Sequence, residues 1–232
     1  EQIINILNES GLKGKGGAGF PTGKKWEIVS KYKGLKYLTI NGDEGEPGTF
    51  KDRLLVDFDP HSVIEGIAIS CYACSLSTAF FFIRGEWSEQ AKIMQAAIDE
   101  AYEHGIFGSQ GLMNGATDFS VECTIHRSAG AYICGEETAL LEAVEGKRGW
   151  PRVKPPFPAA VGVFGMPSTI NNVETLTAVP HIINNGDEWY RQWGTEKSPG
   201  TKLFCVSGHI NKPGNYELPL GFPLSELIDD VC

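Results

Sequence analysis

The sequence predicts an α/β fold of helices packed on a sheet over residues 1–199, followed over residues 200–232 by the start of a small β-rich domain. Three observations carry this. Apolar patterns of helical and of strand period alternate through the first part, as in folds that lay helices on a sheet. From about Gly200 the pattern changes to short strands and turns, punctuated by Pro213-Gly214 and Pro219. Between them, Gly14-x-Gly16-x-x-Gly19 follows a helical pattern rather than a strand, and Pro21-Thr22-Gly23 delays the next helix. That context rejects a Rossmann fingerprint, which needs a strand before the glycines and a helix opening within them.

Element by element, Ile3, Ile4 and Leu7 have helical spacing, so the chain opens on a helix. Residues 11–23 hold six glycines and form a loop, and a short helix follows around Lys24 to Lys31. Leu35 to Asn41 is a strand, leading into the acidic turn 42–48. Pro60 opens a helix to about Leu76, and Thr78 to Arg84 is a phenylalanine-rich strand. Ser88 to His104 is a helix, with Ser88 as its cap and Gly105 as its stop. Phe119, Val121, Cys123 and Ile125 alternate as a half-buried strand. Gly130 to Gly135 feeds a helix from Glu136 to about Glu145, and the prolines of 146–158 impose an extended surface loop. Ala159 to Phe164 reads as a buried strand, and Ser168 or Thr169 begins a helix to about Asn184.

Composition narrows the function. The 232 residues are 41% apolar and 21% charged, ordinary for a globular protein. A net charge of −9 argues against nucleic acid, which needs a basic face. Seven lysines between Lys13 and Lys36 nevertheless make a local basic cluster suited to a nucleotide phosphate, or simply a solvated helix face. No apolar run approaches the roughly 18 residues of a membrane span. Six cysteines without a signal peptide favour free thiols, and Cys71-x-x-Cys74, inside an apolar run, reads better as buried structure than as a redox pair or half a metal site. Glu1 in place of Met, and an amphipathic pattern that stops at Cys232, lead us to expect further chain at both ends.

Three segments carry candidate chemistry. The glycine loop lets backbone N–H groups approach a phosphate or flat ring. Asn41, Asp43, Glu44 and Glu46 follow a strand and can grip sugar hydroxyls, or form a solvated turn. Glu136 and Glu137 begin a helix, where acids complement the dipole; a carboxylate beside a reacting ring is the alternative.

Five blocks together are more specific. Gly14-Lys-Gly-Gly-Ala-Gly-Phe-Pro-Thr-Gly23, Asn41-Gly-Asp-Glu-Gly-Glu-Pro-Gly48, Tyr132-Ile-Cys-Gly-Glu-Glu-Thr138, Lys147-Arg-Gly-Trp-Pro-Arg152 and Asn171-Asn-Val-Glu-Thr175 resemble, in order and over nearly the whole chain, the FMN- and NADH-binding flavoprotein subunit of respiratory complex I. Relatives occur in NAD-linked hydrogenases and formate dehydrogenases.

The resemblance implies a non-Rossmann α/β sandwich, the start of a ubiquitin-like β-grasp domain, and beyond this chain a helical domain whose four cysteines hold a 4Fe–4S cluster. It places FMN against Gly14, Lys15, Gly16, Gly17 and Lys25, with Asn41, Asp43 and Glu44 on the ribityl chain and ring edge. Tyr132, Gly135 and Glu136 complete the wall, and Ile170, Asn171 and Asn172 close the phosphate end. NADH would stack over the flavin, with Phe20 and Phe157 near adenine and Glu46, Glu137 and Lys154 on its polar parts. Glu137 is the catalytic candidate, tuning NADH affinity by its charge. Gly42 replaces a frequent alanine, and Ile28 stands where a second adenine-stacking aromatic is common.

The implied reaction is hydride transfer from NADH to FMN, then single-electron transfer to iron–sulfur centres and on to quinone. The implied setting is a multi-subunit redox complex with an iron–sulfur partner subunit, peripheral on the cytoplasmic or matrix face of an energy-transducing membrane and not inserted in it. A hydrogenase or formate dehydrogenase flavoprotein is the rival within the class. A non-catalytic β-grasp binding or scaffold protein is the rival outside it.

Overall fold

The computed structural model describes residues 1–109 and 117–232. Four parallel strands form the central sheet: β1 (Tyr37–Gly42), β2 (Thr78–Ile83), β3 (Glu122–Arg127) and β4 (Ser168–Asn172), in the order β3-β2-β1-β4. Ile40 of β1 stands beside Phe81 of β2 on one side and Asn171 of β4 on the other. The order reverses direction at β1, as it does in doubly wound sheets, but the glycine loop precedes β1 instead of following it. The rejection of the Rossmann fingerprint therefore holds, and so does the α/β expectation.

Strand alternation divides the core. Ala79, Phe81 and Ile83 of β2 join Leu38 and Ile40 of β1 in the larger cluster. Five helices supply most of its other residues: α1 (Gln2–Ser10), α2 (Thr22–Ser30), α4 (Pro60–Cys74), α5 (Ser88–Glu103) and α7 (Val173–Asn185). Phe80 and Phe82 face the opposite layer, where Leu140, Leu141 and Val144 of α6 (Glu137–Val144) cover the sheet. Both faces are thus sealed with apolar side chains, the arrangement parallel sheets require.

Several elements differ from the sequence expectation. α3 (Lys51–Phe58) has no counterpart in it, and this helix packs on α5 and α7. Residues 168–172 are a strand, not the start of a helix. Ser168 looks like a cap, but its Oγ accepts from the Val163 amide and donates to the Met166 carbonyl, closing the preceding turn. The β-branched pair Thr169-Ile170 then extends along β1, and helical structure begins only at Val173. Residues 159–164 are not a buried strand. Phe164 adopts φ 51°, a short 3₁₀ turn spans Val163–Gly165, and Val161 and Phe164 are exposed. Ser88 does not cap α5, since Trp87 holds that position; Ser88 Oγ instead accepts from Arg127.

Beyond α7, α8 (Asp187–Arg191) leads through the two-residue strands β5 (Gly194–Thr195) and β6 (Ser198–Pro199) into an antiparallel hairpin of β7 (Thr201–Val206) and β8 (Gly214–Pro219). The hairpin lies against the α/β unit: the Phe50 carbonyl accepts from Asn215 Nδ2 at 3.1 Å, and the Phe50 amide donates to Cys205 Sγ at 3.2 Å.

Candidate functional site

A cavity of about 630 Å³ opens at the carboxyl ends of β1 and β4, where the strand order reverses. Ligands bind at such switch points because the loops leaving adjacent strands diverge there. The size suits a cofactor.

Three segments meet at it. The glycine loop is tied at its base, where Gly14 N donates to the Phe20 carbonyl at 2.9 Å and Thr22 N to Leu12 at 2.8 Å. It then passes close over β4: a Cβ on Gly16 would stand 3.2 Å from Asn172 Cβ, so a larger residue would intrude there. The acidic turn leaves β1 with Asn41 bridging outward, its Nδ2 donating to the Gly135 carbonyl at 2.9 Å. Tyr132 lies over Gly45, whose missing side chain makes room for the ring, and its hydroxyl donates to Glu46.

Of the residues expected from sequence, Lys15, Gly16, Gly17, Asn41, Asp43, Glu44, Glu46, Tyr132, Gly135, Glu136 and Asn172 line this cavity. Two of them also hold helices. Glu44 accepts from the amides of Lys51, Asp52 and Arg53, capping α3. Burial and the nearby Asp52 push its carboxyl up. Glu136 Oε2 accepts from Thr138 N and Ala139 N at 2.9 Å each, capping α6. Asp43 is buried, and desolvation raises its carboxyl to about 6 against the pull of Ser128 and Arg84.

The others stand outside the lining. Gly14 forms the loop base. Lys25 is half-buried on α2 and donates to the Ile170 carbonyl at 2.8 Å; desolvation pushes its ammonium down, opposed by Glu137. Lys154 joins Glu137 at 2.8 Å and Glu136 at 3.3 Å. The Ile170 side chain is in the smaller core. Asn171 is not brought to the cavity: its Oδ1 accepts from Trp26 Nε1 at 3.1 Å inside the protein. Phe20 and Phe157 are both exposed aromatics.

Sequence reasoning missed Lys51, Asp52 and residues 202–205, which also line the cavity. Lys51 and Asp52 belong to an unforeseen helix, and the hairpin arrives from about 150 residues away in sequence, so neither had a local signal. Cys71 and Cys74 are free and buried, with Cys74 pushed up to about 12 by desolvation, which is the inert state expected of structural thiols. Among the described residues no cluster of His, Cys, Asp or Glu could hold a metal ion, and no helix is long and apolar enough to cross a membrane.

Residues 7–181 match the family described as the Nuo51 FMN-binding domain, and residues 203–232 match the SLBB domain. The chain is 54% identical over 231 residues to one of the F-type subunits of NADH-quinone oxidoreductase in Rhizobium meliloti (strain 1021), covering 99% of this chain and 54% of the relative. It is 48% identical over 233 residues to the mitochondrial NADH dehydrogenase (ubiquinone) flavoprotein 1 of Dictyostelium discoideum, covering 99% and 48%. The chain thus spans about half the length of these curated relatives. Among solved structures, an NAD+-reducing nickel–iron hydrogenase in its H2-reduced state superposes with a TM-score of 0.86 at 41% identity, over 94% of this chain and 36% of that one.

Proposed function

The chain belongs to the Nuo51 FMN-binding domain family, and on that premise we propose that it is the nucleotide-binding portion of an NADH dehydrogenase flavoprotein, holding FMN and oxidising NADH upon it. One observation carries the reading. A single cavity joins a glycine loop, three lysines and a set of carboxylates and amides at the carboxyl edge of the sheet.

That donor set fits FMN. A phosphate needs cations and close backbone, and Lys15, Lys51 and Lys202 stand beside the loop at Gly16 and Gly17. Ribityl hydroxyls need acceptors and amides, which Asn41, Asp43 and Asn172 supply. A flat ring needs a wall without side chains, and the Gly16 surface would be filled by a Cβ. When bound, FMN supplies the ring that takes up a hydride and releases electrons one at a time.

The chain's own residues bind and orient. Phe20 and Phe157 present faces for adenine, and the Glu137–Lys154 pair offers both charges to the polar parts of NADH. Glu137 opposes the anionic dinucleotide, so its role is to set affinity and angle rather than to move a proton. Holding nicotinamide against the flavin at contact distance is the main contribution asked of the protein.

In the whole protein the onward route runs to iron–sulfur centres carried outside the described residues, within a multi-subunit complex peripheral to an energy-transducing membrane. The hydrogenase likeness favours a second reading, the flavoprotein of an NAD-linked hydrogenase, ranked below the first because the quinone-oxidoreductase relative is closer in identity. The test is anaerobic addition of NADH to the FMN-loaded chain. Flavin absorbance should bleach, ferricyanide should be reduced, and no iron–sulfur signal should appear in electron paramagnetic resonance. A folded, FMN-loaded sample that NADH leaves unbleached refutes the assignment.

A further inference from the structure

Glu174, in the first turn of α7, is 4% exposed and does not line the cavity, yet three residues that do line it converge on it. Lys51 Nζ and Lys202 Nζ each lie 2.9 Å from Oε2, and Lys15 Nζ lies 3.8 Å from Oε1. The three lysines come from the glycine loop, the start of α3 and strand β7. Oε1 also accepts from the Leu203 amide at 2.8 Å, so the same carboxylate holds the backbone of the hairpin.

The electrostatics follow the geometry. Burial pushes the Glu174 carboxyl up, but Lys51, Lys15 and Lys202 together outweigh it and leave it below the ordinary carboxylate range. Burial works against the Lys51 ammonium too, and Asp52 and Glu174 more than restore its charge. Burial and the neighbouring Lys202 push the Lys15 ammonium down, against the pull of Glu174 and Glu217, so Lys15 and Lys51 each depend on their carboxylate partners for charge and place. A buried ionic group of this kind is a poor source of stability, because desolvation offsets most of the attraction. What it does well is fix long, flexible side chains in one place.

We propose that Glu174 is a positioning residue that gathers Lys15, Lys51 and Lys202 at the cavity and docks β7 beside them, so that the cavity selects a flavin bearing a phosphate over the same flavin without one. This rests on the FMN reading above. It makes a prediction opposite in sign to simple charge counting. Removing a negative charge next to a phosphate site should tighten FMN binding if only Coulomb attraction matters. If Glu174 acts by position, Glu174→Gln should weaken it, because the lysines repel one another and retreat toward water.

The experiment is fluorescence titration of FMN and, separately, riboflavin into the wild-type chain, Glu174→Gln, Lys202→Met and Lys202→Arg. Hydrogen exchange at the Leu203 amide is followed in parallel. Glu174→Gln and Lys202→Met should each lose about tenfold in FMN affinity, the scale of one charge-assisted bond, with riboflavin affinity changed by less than about twofold. Lys202→Arg should retain most of the FMN affinity, and Leu203 should exchange faster in Glu174→Gln. Lys202 is partly exposed, so its variants test the idea even if Glu174→Gln folds poorly. Unchanged or tighter FMN binding by Glu174→Gln overturns the inference, as does equal loss of both flavins in the Lys202→Met chain. A wild-type chain that binds neither flavin overturns the parent reading instead.

Discussion

Asp43 is a cavity residue whose chemistry is changed by burial. Its carboxyl rises from an ordinary 3.8 to about 6 because burial disfavours the anion more than Ser128 and Arg84 favour it. Below about pH 4 the folded and unfolded chains both hold the proton, and Asp43 costs nothing. Between about 4 and 6 the unfolded chain releases it while the folded chain keeps it, so stability falls as pH rises, and above about 6 the full cost of roughly 1–3 kcal/mol applies. Asp43→Asn should therefore raise the melting temperature relative to wild type at about pH 8, with the gap closing by about pH 4. A gap that is constant with pH, measured by thermal melts, would show that Asp43 is ionised throughout. The neighbouring pair Asn171 and Asn172 shows how far single residues can be read from sequence. The family resemblance puts both at the phosphate end. Because 168–172 is a strand, successive side chains leave opposite faces: Asn172 reaches the cavity and Asn171 turns to Trp26. Reading the segment as a helix start hides that alternation.

At the scale of elements, α6 opens on two carboxylates that share Lys154. Glu136 also caps the helix through two backbone amides, whereas Glu137 makes no such cap bond. Glu136→Ala should cost about 1–2 kcal/mol, the usual loss for an N-cap, read as a lower melting temperature. Glu137→Gln should leave stability within about 0.5 kcal/mol, since its pair is partly exposed, and should lower the NADH KM with ferricyanide as acceptor by relieving repulsion. An NADH KM that does not move removes Glu137 from the dinucleotide site. The α4–α7 contact supplies a second test. A Cβ on Gly66 would lie 2.3 Å from the Leu176 carbonyl oxygen, so these helices pack backbone to backbone. Gly66→Ala improves helix propensity by about 1 kcal/mol yet should destabilise the protein on balance, because overpacking of this kind costs about 1–3 kcal/mol and the clash is with backbone. A thermal melt at or above the wild-type value would show that the two helices can separate at little cost.

At the scale of the whole molecule, the cavity belongs to no single part of the chain. Its lining runs from Lys15 to Cys205, so a ligand that fills it links the glycine loop, the sheet edge and the hairpin. FMN at about one hundred times its dissociation constant should then stabilise the chain by about 2.7 kcal/mol, seen as a rise in melting temperature. Absence of any rise at saturating FMN would mean that the cavity is not the flavin site.

The sequence by itself determined the alternation of helices and strands, the non-Rossmann context of the glycine loop, and the five blocks that mark the family. Each is local: a period of 3.6 or 2, a glycine run, or a short string of residues is visible without knowing what it will touch. Only the tertiary structure decided that 168–172 pairs with β1 and that Lys51 and Lys202 meet at Glu174. Strand pairing depends on which edge is free, and a buried charge depends on partners brought from distant segments. The physical reason is the same in each case: the energy of these contacts lies between residues far apart in sequence, where no local pattern can record it.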